Sequence, residues 1–176
     1  MRRSILILLA AASPLVAQQQ QSRDANTSVS AAKGVWMVGH NYVVRAAEQV
    51  PEDLYSFRPT PQIRALGELF AHVADGERLI CSMSTGVTPN MDPAMSNEKS
   101  KTKKADIIQA LKDAATFCGG AYAQADAAAL AAPVDFFGNK VNRMFTLQYN
   151  GAHTMEHYGN IVTYMRLKGL TPPSSQ

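Results

Sequence analysis

His153 and His157 stand four residues apart in the run Asn150-Gly151-Ala152-His153-Thr154-Met155-Glu156-His157-Tyr158. Four residues is about one helical turn, so a helix sends both imidazoles from one face. That spacing offers two nitrogen ligands to one metal ion. The chain has four histidines. The other two, His40 and His72, each fall on an apolar helical stripe. His72 lies mid-stripe between Leu69 and Gly76 and is expected to point inward. His72, His153 and His157 therefore form a candidate three-nitrogen site. Three protein ligands and one position left for water is the pattern of a catalytic zinc centre. Imidazole also suits nickel, iron and copper. The expected cofactor is a divalent metal, zinc or nickel first. The spacing alone leaves an alternative open, in which these histidines only hydrogen-bond in or on a bundle. His40, one turn from Trp36 and without a histidine partner on its own helix, is expected outside the ligand set.

His153 to His157 also matches H-x-x-E-H, in which a carboxylate between two ligands acts as general base. That protease pattern takes its third ligand from a downstream carboxylate. The residues after His157 include neither Asp nor Glu, so the third ligand of that pattern is missing. Glu156 remains a candidate catalytic base or supporting group, with a solvated helix edge as the alternative. No GxSxG and no GxxxxGK[ST] occurs, which removes the nucleophile-elbow and phosphate-loop classes.

Positioning such a site needs helices, and the chain supplies four by periodicity. The first is expected from about Val29 to Gln49, with Trp36, His40, Val43 and Ala47 on one face and Pro51 as its stop. The second is expected from Ile63 to Ser84, after the extended Arg58-Pro59-Thr60-Pro61 link. The third is expected from Lys103 to Gln124, burying Ile107, Leu111, Cys118 and Tyr122. The fourth is expected from Arg143 to Lys168, closed by Gly169. The loop at 86–101 is long for a helix connection and permits a crossover. Val134 to Val141 reads as a loop or a short hairpin around Gly138-Asn139. On the fourth helix Tyr149, Asn150, His153, His157, Asn160 and Tyr164 make a band of uncharged polar residues. Such a band suits an internal cavity better than bulk water. Tyr149, Asn150, Asn160 and Tyr164 are therefore the expected cavity lining.

The 176 residues suffice for one domain. Residues 1–17 read as a signal peptide: basic Met1-Arg2-Arg3, a short apolar run, then small Ala17. Residues 18–28 are polar and expected as a flexible leader, and 29–176 as the bundle domain. A periplasmic or secreted mature chain beginning near Gln18 is the expectation. Loss of residues 1–17 leaves 15 basic side chains against 14 acidic. That balance gives no support for a nucleic-acid partner. A small molecule is the expected partner, no stable membrane insertion is expected after cleavage, and a homodimer is compatible. Two cysteines, Cys81 and Cys118, allow one disulfide or two buried thiols.

The chain resembles the DinB-like family, also called the DinB/YfiT-like metalloenzymes, over roughly residues 30–175. The resemblance is carried by Gly67-Glu68-Leu69-Phe70-Ala71-His72-Val73-Ala74-Asp75. It is carried also by His153-Thr154-Met155-Glu156-His157-Tyr158-Gly159-Asn160 through Tyr164, Arg166, Gly169 and Pro172-Pro173. It implies an all-α four-helix bundle, up-down-down-up, with the long crossover between helices two and three. It implies a divalent metal on His72, His153 and His157. Relatives include thiol-dependent transferases and isomerases, in which the metal activates a thiolate or a water. The export signal is a departure, because low-molecular-weight thiol cofactors are chiefly cytosolic. If helices two and three run parallel, as the crossover and the family suggest, Cys81 and Cys118 fall at similar heights and are expected to pair. The functional expectation is a metal-dependent hydrolase or thiol-dependent transferase. The alternative is a non-catalytic metal- or small-ligand-binding bundle.

Overall fold

The computed structural model describes residues 14–87, 92 and 96–176. The expected signal segment lies outside the described residues up to residue 13, and so do residues 88–91 and 93–95 of the expected loop at 86–101. The elements, in chain order, are α1 (Pro14–Gln49), α2 (Leu66–Ser84), α3 (Asn97–Ser100), α4 (Lys104–Ala123), α5 (Ala127–Ala131), β1 (Pro133–Phe136), β2 (Asn139–Asn142) and α6 (Arg143–Leu167). Four main helices carry the fold: α1, α2, α4 and α6. A short 3-10 turn at Glu52–Ser56 follows α1.

α1 starts fifteen residues before the expected Val29. From Leu15 to Lys33 the chain has neither Gly nor Pro, and it is rich in Gln and Ala, which are good helix formers. Gln20 Nε2 donates to Asp24 Oδ1 at 2.9 Å, one turn apart. The expected leader at 18–28 is thus a helical extension, and most of its side chains are exposed.

Capping fixes the other ends. Glu68 accepts the Ala65 N–H at 2.8 Å at the start of α2. Asn142 accepts the Phe145 N–H at the start of α6. Gly169, at φ 71, ends α6, with Leu170 N–H bonding Met165 O. Lys104 Nζ donates to the carbonyls of Glu48 and Val50, so the start of α4 satisfies the end of α1.

The segment before α6 is a hairpin, β1 paired antiparallel with β2 through Phe136 and Asn139. Its turn residues are Phe137 and Gly138, one position earlier than the expected Gly138-Asn139. Both have positive φ, 51 and 82.

The core has two apolar clusters. One gathers Phe70, Leu111, Ile161 and Met165. The other gathers Trp36, Tyr122 and Leu147 around the disulfide. Cys81 of α2 is bridged to Cys118 of α4, with Cα atoms 5.4 Å apart, within the range a disulfide needs. Gly151 lets α6 approach α1 closely, since a methyl there would stand 3.3 Å from the Trp36 backbone nitrogen.

Candidate metal centre

α2 and α6 pack against each other, and the seam between them brings the three histidines together. One ligand nitrogen from each of His72, His153 and His157 lies within 4.8 Å of the others. The Nε2 atoms of His153 and His157 stand 3.1 Å apart, close enough to share one proton or one ion. The His72 ring meets His157 edge-on, with centroids 4.7 Å apart. Gly76 makes room for this arrangement, because a methyl group at that position would overlap the His153 ring.

A carboxylate that the sequence reading did not select completes the cluster. His72 Nδ1 donates to Glu98 Oε2 at 2.9 Å. That bond fixes the tautomer and leaves the lone pair on His72 Nε2, the arrangement that raises the basicity of a ligating imidazole. Glu98 in turn accepts from Arg64 Nε at 3.0 Å. Burial works against its charge, but the hydrogen bond and charge of Arg64, with the bond from His72, outweigh burial. The carboxyl is held below the usual carboxylate range.

Glu98 reaches His72 because Asp75 holds α3. Asp75 Oδ1 accepts the Asn97 N–H at 3.0 Å and its Oδ2 accepts the Glu98 N–H at 2.9 Å. A carboxylate on the first N–H groups of a helical turn is a favourable anchor. Asp75 is three residues past His72 on α2, so one helical face presents both the ligand and the clamp for its partner.

Burial is the main cause that pushes His153 down to about 4, with His157, His72 and Arg64 adding to it. His157 is lowered for the same leading reason, then by His72, against opposing carboxylates at Glu156 and Glu98. Both rings are therefore neutral at pH 7, the state a metal ligand requires. Their Nδ1 atoms are buried without a hydrogen-bond partner among the described residues. Clustered neutral imidazoles, one of them steered by a carboxylate, fit a divalent cation better than they fit each other.

Residues 38–161 match the DinB superfamily. This chain belongs to the DinB superfamily. The fold is similar to that of a DinB-like protein from Bacillus cereus, with TM-score 0.69, 19% identity, and 81% of this chain and 93% of that one covered. It is similar also to a DinB-like protein from Bacillus subtilis, with TM-score 0.66, 24% identity, and 85% and 97% covered. No curated protein matches the chain.

The other expected site residues of this DinB-superfamily chain divide. Asn160 and Tyr164 line an open cleft of about 610 Å³ beside His157. Asn150 does not line it. It is fully buried, and its Nδ2 faces the two disulfide sulfurs at 3.5 and 3.8 Å. Period alone put Asn150 in the polar band, but its position on the helix turns it toward α2 and α4. Tyr149 is partly exposed and stacks on His153, with centroids 6.3 Å apart. Glu156 is exposed on α6. His40 bonds Glu77 through Nδ1 at 3.0 Å. Glu77, fully buried, also accepts from Trp36 Nε1 and Thr154 Oγ1. That second polar knot occupies the core on its own.

Sequence reasoning passed over Glu98, Arg64, Asp75 and Glu77. Asp75 and Glu77 carried a usable signal, since each is an acid on or beside the inward stripe of α2. Glu98 lies on the four-residue α3 and Arg64 just ahead of α2, where too few helical residues surround either to mark an inward side chain by periodicity.

Proposed function

We propose that this chain is a divalent-metal-dependent enzyme, with His72, His153 and His157 as ligands and a water or thiol as nucleophile. The carrying observation is the convergence of three imidazole nitrogens within 4.8 Å, one of them oriented by Glu98. When bound, the ion would supply Lewis acidity, lowering the pKa of a water or thiol and polarising a substrate oxygen. The chain's own groups do the rest. Glu98 holds His72 in one tautomer. Burial keeps His153 and His157 unprotonated. Glu156, whose charge is felt at His157, is the candidate proton acceptor at the α6 edge. Asn160 and Tyr164 border the cleft through which a small molecule reaches the triad.

Metal analysis of the purified protein tests the reading. About one equivalent of zinc or nickel is expected in the wild type, and a large loss in His153→Ala with the helical circular dichroism unchanged. Equal metal content in both would overturn it.

The reading includes an up-down-down-up order of α1, α2, α4 and α6. Gly39 faces Thr154 while Gln49 bonds Thr171, which supports a common direction for α1 and α6. Gly76 faces His153 while Tyr164 bonds the Arg64 carbonyl, which supports an opposed α2. The bonds from Lys104 at the start of α4 to the end of α1 support an opposed α4.

The reading also has the mature chain exported and beginning near Gln18. The basic and apolar N-terminal pattern supports this, and a disulfide suits an oxidising compartment. N-terminal sequencing of the exported protein is the check. An intact Met1 in a soluble cytoplasmic fraction would refute export.

A further inference from the structure

The cleft beside His157 carries an unbalanced set of charges. Among the described residues, Arg58, Arg64 and Lys99 line it together with two carboxylates, Glu68 and Glu98. Any divalent ion on the triad would raise the positive excess further. Both carboxylates are already engaged: Glu68 by Arg58 at 3.2 Å, and Glu98 by Arg64 and His72.

Arg64 differs from the other two cations. Arg58 spends both terminal nitrogens, on the Ile63 carbonyl and on Glu68. Lys99 is a point charge, two thirds exposed and 3.9 Å from Glu98. Arg64 is held by Nε, and the edge formed by its two terminal nitrogens has no acceptor among the described residues. Its position is fixed by a carboxylate that is itself fixed by His72 and Asp75. Asn160, one turn beyond His157 on α6, adds a side-chain amide to the same cleft, with no partner among the described residues.

A guanidinium edge fixed at one nitrogen presents two parallel N–H donors, the match for a two-oxygen anion. We propose that this cleft is a carboxylate-recognition subsite, with Arg64 and Asn160 gripping a small-molecule carboxylate so that the rest of the molecule reaches the three histidines. The inference rests on reading the triad as a metal centre and narrows its substrate class to carboxylic acids. The cleft, at about 610 Å³, has the size of an ordinary small-molecule site.

Butyrate and its neutral isostere butyramide are the probes, titrated into zinc-loaded protein at low salt. Side-chain amide and guanidinium N–H resonances are followed by NMR. Butyrate is expected to shift the Asn160 amide and the Arg64 Nε–H, and to bind at least about tenfold tighter than butyramide. Arg64→Gln should weaken butyrate about tenfold or more. Because that variant also frees Glu98, Asn160→Asp serves as the second test. It leaves the Arg64–Glu98–His72 chain in place, sets a like charge in the cleft, and should abolish butyrate binding while zinc content stays unchanged. Equal affinity for the two probes, or butyrate binding that survives both substitutions, would overturn the subsite. The two readings separate cleanly. Zinc retained without Arg64-dependent butyrate binding refutes the subsite alone. Arg64-dependent butyrate binding by protein that takes up no zinc supports the subsite and refutes the metal centre.

Discussion

Glu98 does two jobs through two oxygens, steering His72 with one and Arg64 with the other. Partners of this kind typically set metal affinity by 10–100-fold. Glu98→Ala is expected to weaken zinc binding by about that factor, read by competition with a chromogenic chelator, with the helical content intact. Affinity unchanged by the substitution would remove Glu98 from the centre. His153 sets a pH dependence of its own. Its folded-state value is about 4, below the ordinary histidine value of roughly 6.5. As pH falls through that window the unfolded chain takes up the proton first. Stability of the metal-free protein is therefore full above about 6.5 and declines toward about 4. His153→Gln removes this contribution, so its stability should fall less steeply across the window in urea titrations at stepped pH. Parallel slopes for the two proteins would refute the assignment.

Two local elements serve the site in different ways. α3 has only four residues, too few for a helix to hold by itself, and Asp75 supplies the anchor. Asp75→Ala is expected to cost about 1–3 kcal/mol through two backbone N–H groups left without their acceptor. It should also lower zinc affinity by releasing Glu98. Urea denaturation and chelator competition on one preparation would show both losses. An unchanged zinc affinity would mean that Glu98 finds His72 without the clamp. The hairpin turn shows the opposite situation, since it contains a residue that local rules disfavour. Phe137 holds φ 51 and is more than half exposed, at a position where Asn or Gly relieves left-handed strain. Phe137→Asn should stabilise the protein by about 1 kcal/mol, seen as a rise in melting temperature. A fall would show that the Phe137 ring contributes more through its contact with Phe136 than the turn strain costs.

At the scale of the molecule, the disulfide and the triad occupy separate helix seams. Cys81 and Cys118 close a loop of 37 residues between α2 and α4, and chain entropy assigns such a loop about 3–4 kcal/mol. The bridge sits with Asn150 in the cluster that holds Trp36 and Leu147. The histidines lie at the α2/α6 seam instead. Reduction, or the double change Cys81→Ala with Cys118→Ala, should lower the melting temperature by several degrees while zinc content stays the same. Loss of zinc on reduction would show that the bridge holds the α2/α6 seam as well as the α2/α4 seam.

The residue pattern was enough for the four main helices to within a few residues at most ends, the Gly169 stop, the His153–His157 pair and the inward stripe that carries His72. Each of these rests on short-range rules. A period of 3.6 residues, a stop residue and an i,i+4 pair are all written within one helix. Where α1 begins was read too late, because its polar first turns were taken for leader and helix propensity there went uncounted. Tertiary structure alone decided the rest. Whether Asn150 faces a cleft or a disulfide depends on how α6 is rotated against α2 and α4, and that angle is a property of packing. Glu98 reaches His72 across 26 residues of chain because Asp75 binds the start of α3, and Arg64 follows through the same carboxylate. These are through-space contacts between a helix and its connections, with no period to announce them. A one-dimensional pattern identified the groups able to hold a metal, and the three-dimensional fold selected the partners that orient them.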